Sequence, residues 1–312
     1  MFGLKSMSND SMLKTFIVAS ALCLVCSVIV SGAATALKPV QNFNKAEDKQ
    51  RNILQVAGLT DDSQTIEERF KNIETRIVDM TTGDYVDSVD IDAFDQRKAS
   101  KDPAQSISLS NEQDGARIGS RAKYGKVYLL KEGDAVSKII IPVKGYGLWS
   151  TMYGFVALQT DANTISDITF YEHNETPGLG GEIQNRDWQK SWQGKQVYNE
   201  QNKPVFELIK GRVDGNTPNQ QHKVDGLAGA TLTSNGVTNL VRFWVGENGF
   251  GPYLKKVKAS FVSNVVPETN LDVSLKTNSE NSQKAKANLQ TNISSTSEKL
   301  TSVALTATAG GK

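Results

Sequence analysis

The sequence predicts an α+β fold, in which one long apolar helix at the N-terminus precedes a single domain with an antiparallel sheet and flanking helices. Three observations lead to this prediction. An uncharged, mostly apolar run covers residues 16–37, and two strand–turn–strand patterns follow each other between residues 126 and 173. Helical patterns lie before and after these strands instead of alternating with them, which favours an antiparallel sheet over a doubly wound parallel one.

The apolar run is long enough to cross a membrane. At about 1.5 Å per residue, a helix over residues 16–37 spans a hydrocarbon core about 30 Å thick. The run exceeds the apolar region of about 7–15 residues in a cleaved signal peptide, although residues 34–36 (Ala-Thr-Ala) resemble a cleavage site. We therefore predict an uncleaved anchor, in which Cys23 and Cys26 are small packing residues. Basic residues flank the span on both sides and leave its orientation open.

Turn residues and periodicity predict the elements of the middle of the chain. Gly58 can end a polar helix in the left-handed conformation, and Asp62 or Ser63 can cap the next helix. Turns at 132–134 and 161–163 each separate two strands. The predicted elements are helices over 44–57, 63–73, 182–192 and 233–245, strand pairs over 126–145 and 151–173, and a strand over 204–209.

The composition changes near residue 263. Residues 264–312 contain no aromatic side chain, and they are rich in Ser, Thr, Asn and Gln. Such a segment cannot bury enough apolar surface to offset the entropy of ordering it. The predicted organisation is a short N-terminus (1–15), the span (16–37), one folded domain (38–263) and a polar low-complexity tail (264–312).

Charge and residue types exclude several classes of function. The chain has 35 Lys and Arg against 34 Asp and Glu, a net charge of +1, so we predict no nucleic-acid partner. Both cysteines lie in the apolar run, which excludes a disulfide framework and thiolate metal sites in the folded domain. With only two histidines in the chain, we predict no metal site.

Two glycine-containing stretches have the residues of a binding site. Residues 224–237 place a glycine turn directly before a helix whose start is rich in hydroxyl side chains, and the free N–H groups of a helix start bind phosphate. Residues 171–181 form a loop with four Pro and Gly positions, beside which Glu175 and Thr176 offer polar groups. Taken alone, the two stretches also fit an ordinary capped helix and an ordinary turn.

A third stretch adds an apolar wall. Residues 144–150 place Tyr146 and Trp149 beside two glycines, although core packing at a hairpin explains this pattern equally well. Together the three stretches supply a phosphate seat, a polar loop and an apolar surface. An aromatic cofactor that carries a phosphate needs these parts, which fits flavin mononucleotide (FMN).

The sequence from Asp225 to Thr231, Asp-Gly-Leu-Ala-Gly-Ala-Thr, resembles the attachment motif of FMN-binding domains, Asp-x-x-Ser/Thr-Gly-Ala-Thr. In that family the last threonine carries FMN through a phosphoester bond, and the matching residue here is Thr231. Ala228 departs from the motif, since the family usually has Ser or Thr there. A hydroxyl near the phosphate is therefore missing.

More specifically, the chain resembles the C subunits of the sodium-translocating NADH:quinone oxidoreductases over about residues 10–258. The likeness rests on one N-terminal span, Gly-Leu-Trp-Ser, Glu-Thr-Pro-Gly-Leu-Gly-Gly-Glu-Ile, a helix with Trp188 and Trp192, and the attachment motif, in this order. The tail extends beyond the usual end of this family.

The resemblance implies a function within a membrane complex. The members of this family are electron carriers whose covalent FMN receives electrons from an iron–sulfur centre of other subunits and passes them to another covalent flavin. The complex oxidises NADH, reduces ubiquinone and exports sodium ions. The resemblance also implies a bacterial inner membrane, a cytoplasmic N-terminus, a periplasmic domain, other membrane subunits as partners, and a flavin transferase that attaches the cofactor.

The same resemblance assigns roles near the attachment point. Thr231 is expected to be a tether, with no catalytic part in turnover, and Asp225 is expected to serve recognition by the flavin transferase. From their position at or inside the first helical turn, Thr233 and Ser234 are expected to cap the helix instead of carrying the phosphate.

Side chains on the other two stretches are expected to enclose the flavin ring. The resemblance places Leu148 and Trp149 on one side of it, and Glu175, Thr176 and Leu179 on the other. No residue is expected to bind a metal or to act in catalysis. The remaining expected contacts are Gly229, Ala230, Leu232 and Thr233.

Two alternatives stay open at this point. The first is the related FMN-carrying subunit of electron-transport complexes of the ferredoxin:NAD type, and the second is a membrane-anchored binding module without a cofactor. The Gly-Gly-Glu-Ile sequence and the paired tryptophans favour the sodium-translocating family. For a binding module, the attachment motif would be an accident. A fluorescent flavin band that survives denaturing electrophoresis would separate the two classes.

Overall fold

The computed structural model describes residues 11–61 and 63–265, with side chains described as far as residue 261. The helices are α1 (Met12–Ala57), α2 (Ile66–Phe70), α3 (Gln96–Ala99), α4 (Arg186–Lys190), α5 (Thr231–Val245) and α6 (Gly251–Val265). The strands are β1 (Ile73–Asp79), β2 (Ser106–Ser108), β3 (Ser120–Ala122), β4 (Tyr124–Glu132), β5 (Ala135–Tyr146), β6 (Thr151–Gln159), β7 (Ile165–Glu172), β8 (Glu207–Ile209) and β9 (Lys223–Asp225). Short 3₁₀ turns cover Gly180–Gln184 and Gln220–His222.

The predicted antiparallel sheet is confirmed. Five strands pair in the order β1-β4-β5-β6-β7, and all neighbours are antiparallel. Both predicted hairpins form, and Gly133 takes a positive φ of 65° in the first turn. In the second turn the carboxylate of Asp161 accepts hydrogen bonds from the N–H groups of Asn163 and Thr164. Two smaller sheets pair β2 with β3 and β8 with β9, and the second is parallel.

The two faces of the five-stranded sheet have different coverings. On the face that we call the α5 face, Val237 and Leu240 of α5 belong to the same apolar cluster as Ile139. On the opposite α1 face, Ile53 of α1 packs in a second cluster with Phe155. Side chains alternate along each strand, so consecutive residues belong to different clusters.

Helix α1 is longer than predicted. The span over 16–37 and the predicted helix over 44–57 form one continuous helix, with Pro39 inside it. Gly58 ends this helix as predicted, with a left-handed φ of 85° and its N–H donating to the carbonyl of Gln55 at 3.0 Å. Among the described residues, α1 is the one helix that is long and apolar enough to cross a membrane.

The predicted helix over 63–73 is wrong at both ends. Only Ile66–Phe70 is helical, because Thr65 forms a capping box with Glu68. Ser63 is not the cap, and Asp62 lies outside the described residues. Ile73 instead begins β1, which the sequence analysis missed. Pairing with β4 holds this segment in the sheet, and such a long-range contact leaves little local signal.

Three other predictions need correction at their ends. The helix expected over 182–192 is a 3₁₀ turn followed by the short α4, and the strand expected over 204–209 is reduced to β8. The helix expected over 233–245 begins at Thr231. Helix α6 was not expected, and a compact unit of the chain ends at Lys258 within it. Beyond residue 265, the predicted tail lies outside the described residues.

Candidate functional site

The three stretches singled out in the sequence meet at the side chain of Glu175, which is only 4% exposed. Its carboxylate accepts hydrogen bonds from the N–H groups of Leu148 at 3.1 Å and Trp149 at 3.0 Å. It also accepts one from the hydroxyl of Thr233 at 2.6 Å. Glu175 follows β7, the two N–H groups follow β5, and Thr233 lies in the first turn of α5. One carboxylate therefore holds together three segments that are distant in sequence.

These hydrogen bonds also decide the charge of Glu175. Burial opposes the negative charge, but the hydrogen bonds from Thr233 and from the N–H groups of Trp149, Leu148 and Ser150 together outweigh it. The pKa of Glu175 is therefore lowered below its ordinary value. A charged carboxylate accepts stronger hydrogen bonds than a neutral one, so the junction is most stable in the ionised form.

Two glycines allow the loops to approach the carboxylate. A Cβ atom on Gly147 would lie 2.5 Å from Oε1 of Glu175, and one on Gly180 would lie 2.6 Å from Oγ1 of Thr233. Larger residues at these positions would push the loops apart. His173 completes the junction, since its Nδ1 accepts the N–H of Glu175 at 3.1 Å. Within the described residues, no group of His, Cys, Asp and Glu is placed to hold a metal ion.

The three hydroxyl residues at the start of α5 have different environments. Thr231 is the first residue of α5 and is exposed. Thr233 is 1% exposed and is bound to Glu175, while Ser234 is 5% exposed and accepts the N–H of Leu227 at 3.0 Å. The expectation that Thr233 and Ser234 cap the helix is therefore wrong, because their side chains bind neighbouring loops instead.

The start of α5 is open to an anion. Its N-cap is Ala230, which is 6% exposed and has no polar side chain, and the first turn as described contains no acidic residue. The first N–H groups of a helix have no partner within the helix, and they carry the positive end of its dipole. An anion bound beside Thr231 would meet these groups.

Apolar side chains surround this helix start. Four of them are exposed to 39–63%, and exposed apolar groups that lie close together are typical of a binding surface. The indole Nε1 of Trp149 donates to the hydroxyl of Thr176 at 3.1 Å, which links two of the loops at the surface. Gly229 has a positive φ of 71°, and a Cβ atom there would lie 2.9 Å from Leu179. The four exposed residues are Leu148, Trp149, Leu179 and Leu232.

Asp225 lies at the end of β9, before the turn that leads to Thr231. Its carboxylate accepts the N–H of Val213 at 2.7 Å, and its carbonyl accepts the indole N–H of Trp188 at 2.9 Å. At the next position, a Cβ atom on Gly226 would lie 2.2 Å from the carbonyl oxygen of Ile209. Asp225 and Gly226 thus hold the turn against the neighbouring chain.

Arg117 also belongs to this region, although no sequence pattern predicts it. Arg117 donates to the carbonyl of Gly147 at 3.1 Å, and its guanidinium lies 5.3 Å from the centre of the Tyr146 ring. It thus braces the loop that supplies the N–H groups for Glu175. Arg117 belongs to a polar segment about 30 residues earlier in the chain, and no local pattern connects the two.

Comparison with known proteins points to one family. Residues 147–246 match the FMN-binding domain family. The C subunit of the Na(+)-translocating NADH-quinone reductase of Vibrio anguillarum is 52% identical over 251 residues, which cover 80% of this chain and 97% of that protein. The corresponding protein of Haemophilus ducreyi is 49% identical over 259 residues, with coverages of 82% and 98%. The crystal structure of Shewanella oneidensis NqrC matches with a TM-score of 0.64 and 32% identity, covering 69% of this chain and 99% of that one.

Proposed function

The chain belongs to the NqrC family, the C subunits of the Na(+)-translocating NADH-quinone reductases, and we propose that it carries FMN in a phosphoester bond to Thr231. It is a flavoprotein subunit of this oxidoreductase and works with the other subunits of the complex. When bound, the flavin supplies the electron-transfer chemistry, and the protein holds it and sets its surroundings.

The residues at the junction fit FMN. The open start of α5 offers N–H groups and a positive dipole end for the phosphate. The glycine at position 229 keeps the turn beside Thr231 free of a side chain that would contact Leu179. The exposed surfaces of Leu148 and Trp149 offer an apolar wall for the flavin ring. In this proposal Thr176 and Leu179 line the other side of the ring.

Glu175 acts from behind this surface in the proposal. Its carboxylate is already engaged by Leu148, Trp149 and Thr233, so it orients the wall and the helix start relative to each other. We assign to it the positioning of the flavin site, with no proton or electron passing through it. A buried charge that receives several hydrogen bonds is well suited to keep such a geometry rigid.

The observation that carries the assignment of Thr231 is the difference among the three hydroxyls. Thr233 and Ser234 are buried and bonded to neighbouring loops, whereas Thr231 is exposed at the first position of α5. A separate flavin transferase can reach an exposed hydroxyl without unfolding the turn. We propose that Asp225 serves this transferase by shaping the turn, since its carboxylate holds the N–H of Val213.

The decisive experiment replaces the proposed ester oxygen. Thr231→Val keeps the shape of the side chain but cannot form the ester, so we expect the fluorescent flavin band on a denaturing gel to disappear. Thr233→Val is the control, and it should keep the band while losing a hydrogen bond to charged Glu175 of about 1.5–3 kcal/mol. Peptide mass spectrometry locates the adduct. FMN on Thr233 or Ser234 of the unaltered protein, or a band that persists in Thr231→Val, would contradict the proposal.

We further propose that α1 anchors the chain in the bacterial inner membrane, with the N-terminus in the cytoplasm and the folded domain in the periplasm. The apolar part of α1 supports a single span, and the absence of cysteine after Cys26 suits an oxidising compartment. Alkaline phosphatase fused after Val257 should be active, while green fluorescent protein fused at the same point should be dark. The reverse pattern would place the domain in the cytoplasm.

A further inference from the structure

A second concave region lies on the α1 face of the sheet, apart from the junction at Glu175. It is a cavity of about 840 Å³, which falls in the range of small-ligand sites, about 300–1,000 Å³. Strands β4 to β7 form its floor, while residues 45–49 of α1 and residues 92–98 around α3 form its walls. We call it the α1-face cavity. Its floor is the part of the α1 face that the buried end of α1 does not cover.

Basic side chains outnumber acidic ones around this cavity, six to four. Two of the acidic groups are already engaged within the protein. Glu172 forms an ion pair with Arg97 at 2.8 Å, and Asp95 caps α3 by accepting the N–H groups of Arg97 and Lys98. The carboxylate of Asp95 also lies 3.9 Å from Nζ of Lys98, so four further lysines face only Asp48 and Asp92. The basic residues are Lys45, Lys49, Arg97, Lys98, Lys126 and Lys144, and the acidic ones are Asp48, Asp92, Asp95 and Glu172.

The side chain of Lys126 on β4 lines this positively charged cavity. Burial is the largest effect that lowers the pKa of Lys126, and the positive charge of Lys49 on α1 lowers it further. Asp92, Asp95 and Asp90 act in the opposite direction without restoring the ordinary value. The ammonium group thus lies in a site that disfavours its own charge. A bound anion would attract the ammonium group and so offset the cost of its burial and of the repulsion.

Lys144 lies deeper, on β5, and shows the same imbalance. Its Nζ donates to the hydroxyl of Ser100 at 3.0 Å, which is a neutral partner. Burial lowers its pKa to about 8, with further lowering by the charges of Arg97 and Lys101 and an opposing effect of Asp114. Cations from two strands and from α1 therefore converge on one cavity.

Aromatic rings complete the walls. The Nζ atoms of Lys49 and Lys126 lie 6.0 Å from the ring centres of Tyr128 and Phe94, respectively. These weak cation–π contacts neutralise no charge. The rings offer apolar surface beside the cations, so the cavity suits a ligand with an anionic group and an apolar or aliphatic part.

The cavity also lies near the predicted membrane surface. Lys45 follows the last apolar residue of the span, Leu37, by about 12 Å along the helix, at about 1.5 Å per residue. The headgroup layer on each side of the hydrocarbon core is about 5–8 Å thick. The wall formed by residues 45–49 therefore begins just beyond the headgroups.

We propose that the α1-face cavity binds a phosphate ester, with the phosphate among Lys49, Lys126 and Lys144 and the organic part against the aromatic rings. A phosphate presents oxygens in several directions and can meet ammonium groups from different elements, whereas a carboxylate presents two oxygens in one plane. Two kinds of ligand carry such a phosphate: an anionic phospholipid, in its headgroup, and a soluble phosphate ester.

The test uses the full chain purified in detergent and native mass spectrometry with three probes. Dihexanoyl phosphatidylglycerol carries the phosphate and acyl chains, glycerol 3-phosphate carries the phosphate alone, and dihexanoylglycerol carries the acyl chains alone. We expect one phosphatidylglycerol per chain and no bound dihexanoylglycerol. Glycerol 3-phosphate that binds at least tenfold more weakly identifies a lipid headgroup as the source, and equal or tighter binding identifies a soluble ester. Both results support the proposal.

Charge variants make the test specific. The double variant Lys49→Gln, Lys126→Gln should bind phosphatidylglycerol or glycerol 3-phosphate at least tenfold more weakly, and Lys126→Arg should retain binding. Lys131→Gln is the matched control, since Lys131 lies on the same strand but pairs with Glu74 outside the cavity. Thermal unfolding should show the double variant to be at least as stable as the unaltered chain, because it removes repelling charges. Failure of both phosphate probes to bind, equal binding by the double variant, or equal binding of dihexanoylglycerol would overturn the proposal.

Discussion

The two faces of the central sheet use the same strands but are completed differently. On the α5 face, residues such as Leu240 and Val241 are 0% exposed, and the face is closed. On the α1 face, Ile53 and Leu54 close only one part, and the remainder is the α1-face cavity with its lysines. A helix that crosses a sheet face can cover only the strands beneath it. The uncovered part must therefore contain polar groups or bind another molecule.

The largest expected effect is a difference in the free energy of unfolding between two variants, one in the filled part of the α1 face and one at the cavity. Phe155 is fully buried in the filled part, with ring centres 5.1 Å from Tyr171 and 5.9 Å from Tyr128. Phe155→Ala should lower the free energy of unfolding by about 3–5 kcal/mol, because it removes a large buried ring and leaves a void. Phe94→Ala, at the partly exposed cavity wall, should cost less than about 1 kcal/mol. Denaturant unfolding of the purified chain measures both. Similar losses for the two variants would show that the cavity part is as well packed as the filled part.

The next effect concerns the flavin end of the α5 face. Glu175→Gln keeps the shape but removes the charge that Leu148, Trp149 and Thr233 bind. A hydrogen bond to a charged group contributes about 1.5–3 kcal/mol, so a loss of that size and weaker flavin attachment are expected. Glu182→Gln on the adjacent 3₁₀ turn is the control and should change little. Unfolding and the intensity of the flavin band are the two measurements, and an unchanged band with unchanged stability would refute the positioning role.

The stability difference between the unaltered chain and Glu175→Gln should also depend on pH. The pKa of Glu175 is lower in the folded chain than its ordinary value of 4.5. Its contribution to stability is therefore fully present above pH 4.5 and is lost as the pH falls through the lower, folded pKa. The stability difference between the unaltered chain and Glu175→Gln should shrink over that acidic range. A constant difference across the range would contradict the ionised state.

The smallest effect tests how tightly α5 lies against the sheet. A Cβ atom on Gly236 would lie 2.6 Å from the carbonyl oxygen of Tyr146. Overpacking of this kind costs about 1–3 kcal/mol, while replacing glycine by alanine within a helix gains about 1 kcal/mol. Gly236→Ala should therefore destabilise the chain by about 1 kcal/mol. Gly215→Ala, where a Cβ atom has no neighbour within 4 Å, should not destabilise it. A more stable Gly236→Ala variant would show that α5 can move away from the sheet.

Local sequence patterns predicted the elements that local physics controls. The two hairpins, the end of α1 at Gly58 and the long apolar helix follow from turn residues, glycine and periodicity, and all of them are present. The family and the flavoprotein function inferred from the motifs are confirmed by the relatives. Strand β1 and the bracing contact of Arg117 were missed, because each depends on a partner far away in the chain.

The candidate site shows the same difference between features that local sequence patterns predict and features that depend on distant contacts. The sequence alone identified its three segments, since glycine turns, a helix start and aromatic residues leave recognisable patterns. It assigned Thr233 and Ser234 wrongly as helix caps, whereas both side chains bind loops and Thr231 stays exposed. A hydroxyl can form a hydrogen bond with any acceptor or donor that folding brings near it. Local sequence does not predict which partner that will be.

The sequence by itself determined the long apolar helix, the antiparallel sheet and the family of this protein, because periodicity, turn chemistry and motif order act over short stretches of chain. Only the tertiary structure decided that Glu175 joins two loops and the start of α5, and that α1 leaves part of its sheet face open to a cavity lined by lysines. Both features depend on which side chains meet across the sheet. These side-chain contacts follow from the strand register and from the direction in which each helix crosses the sheet. Neither is a property of any single stretch of sequence.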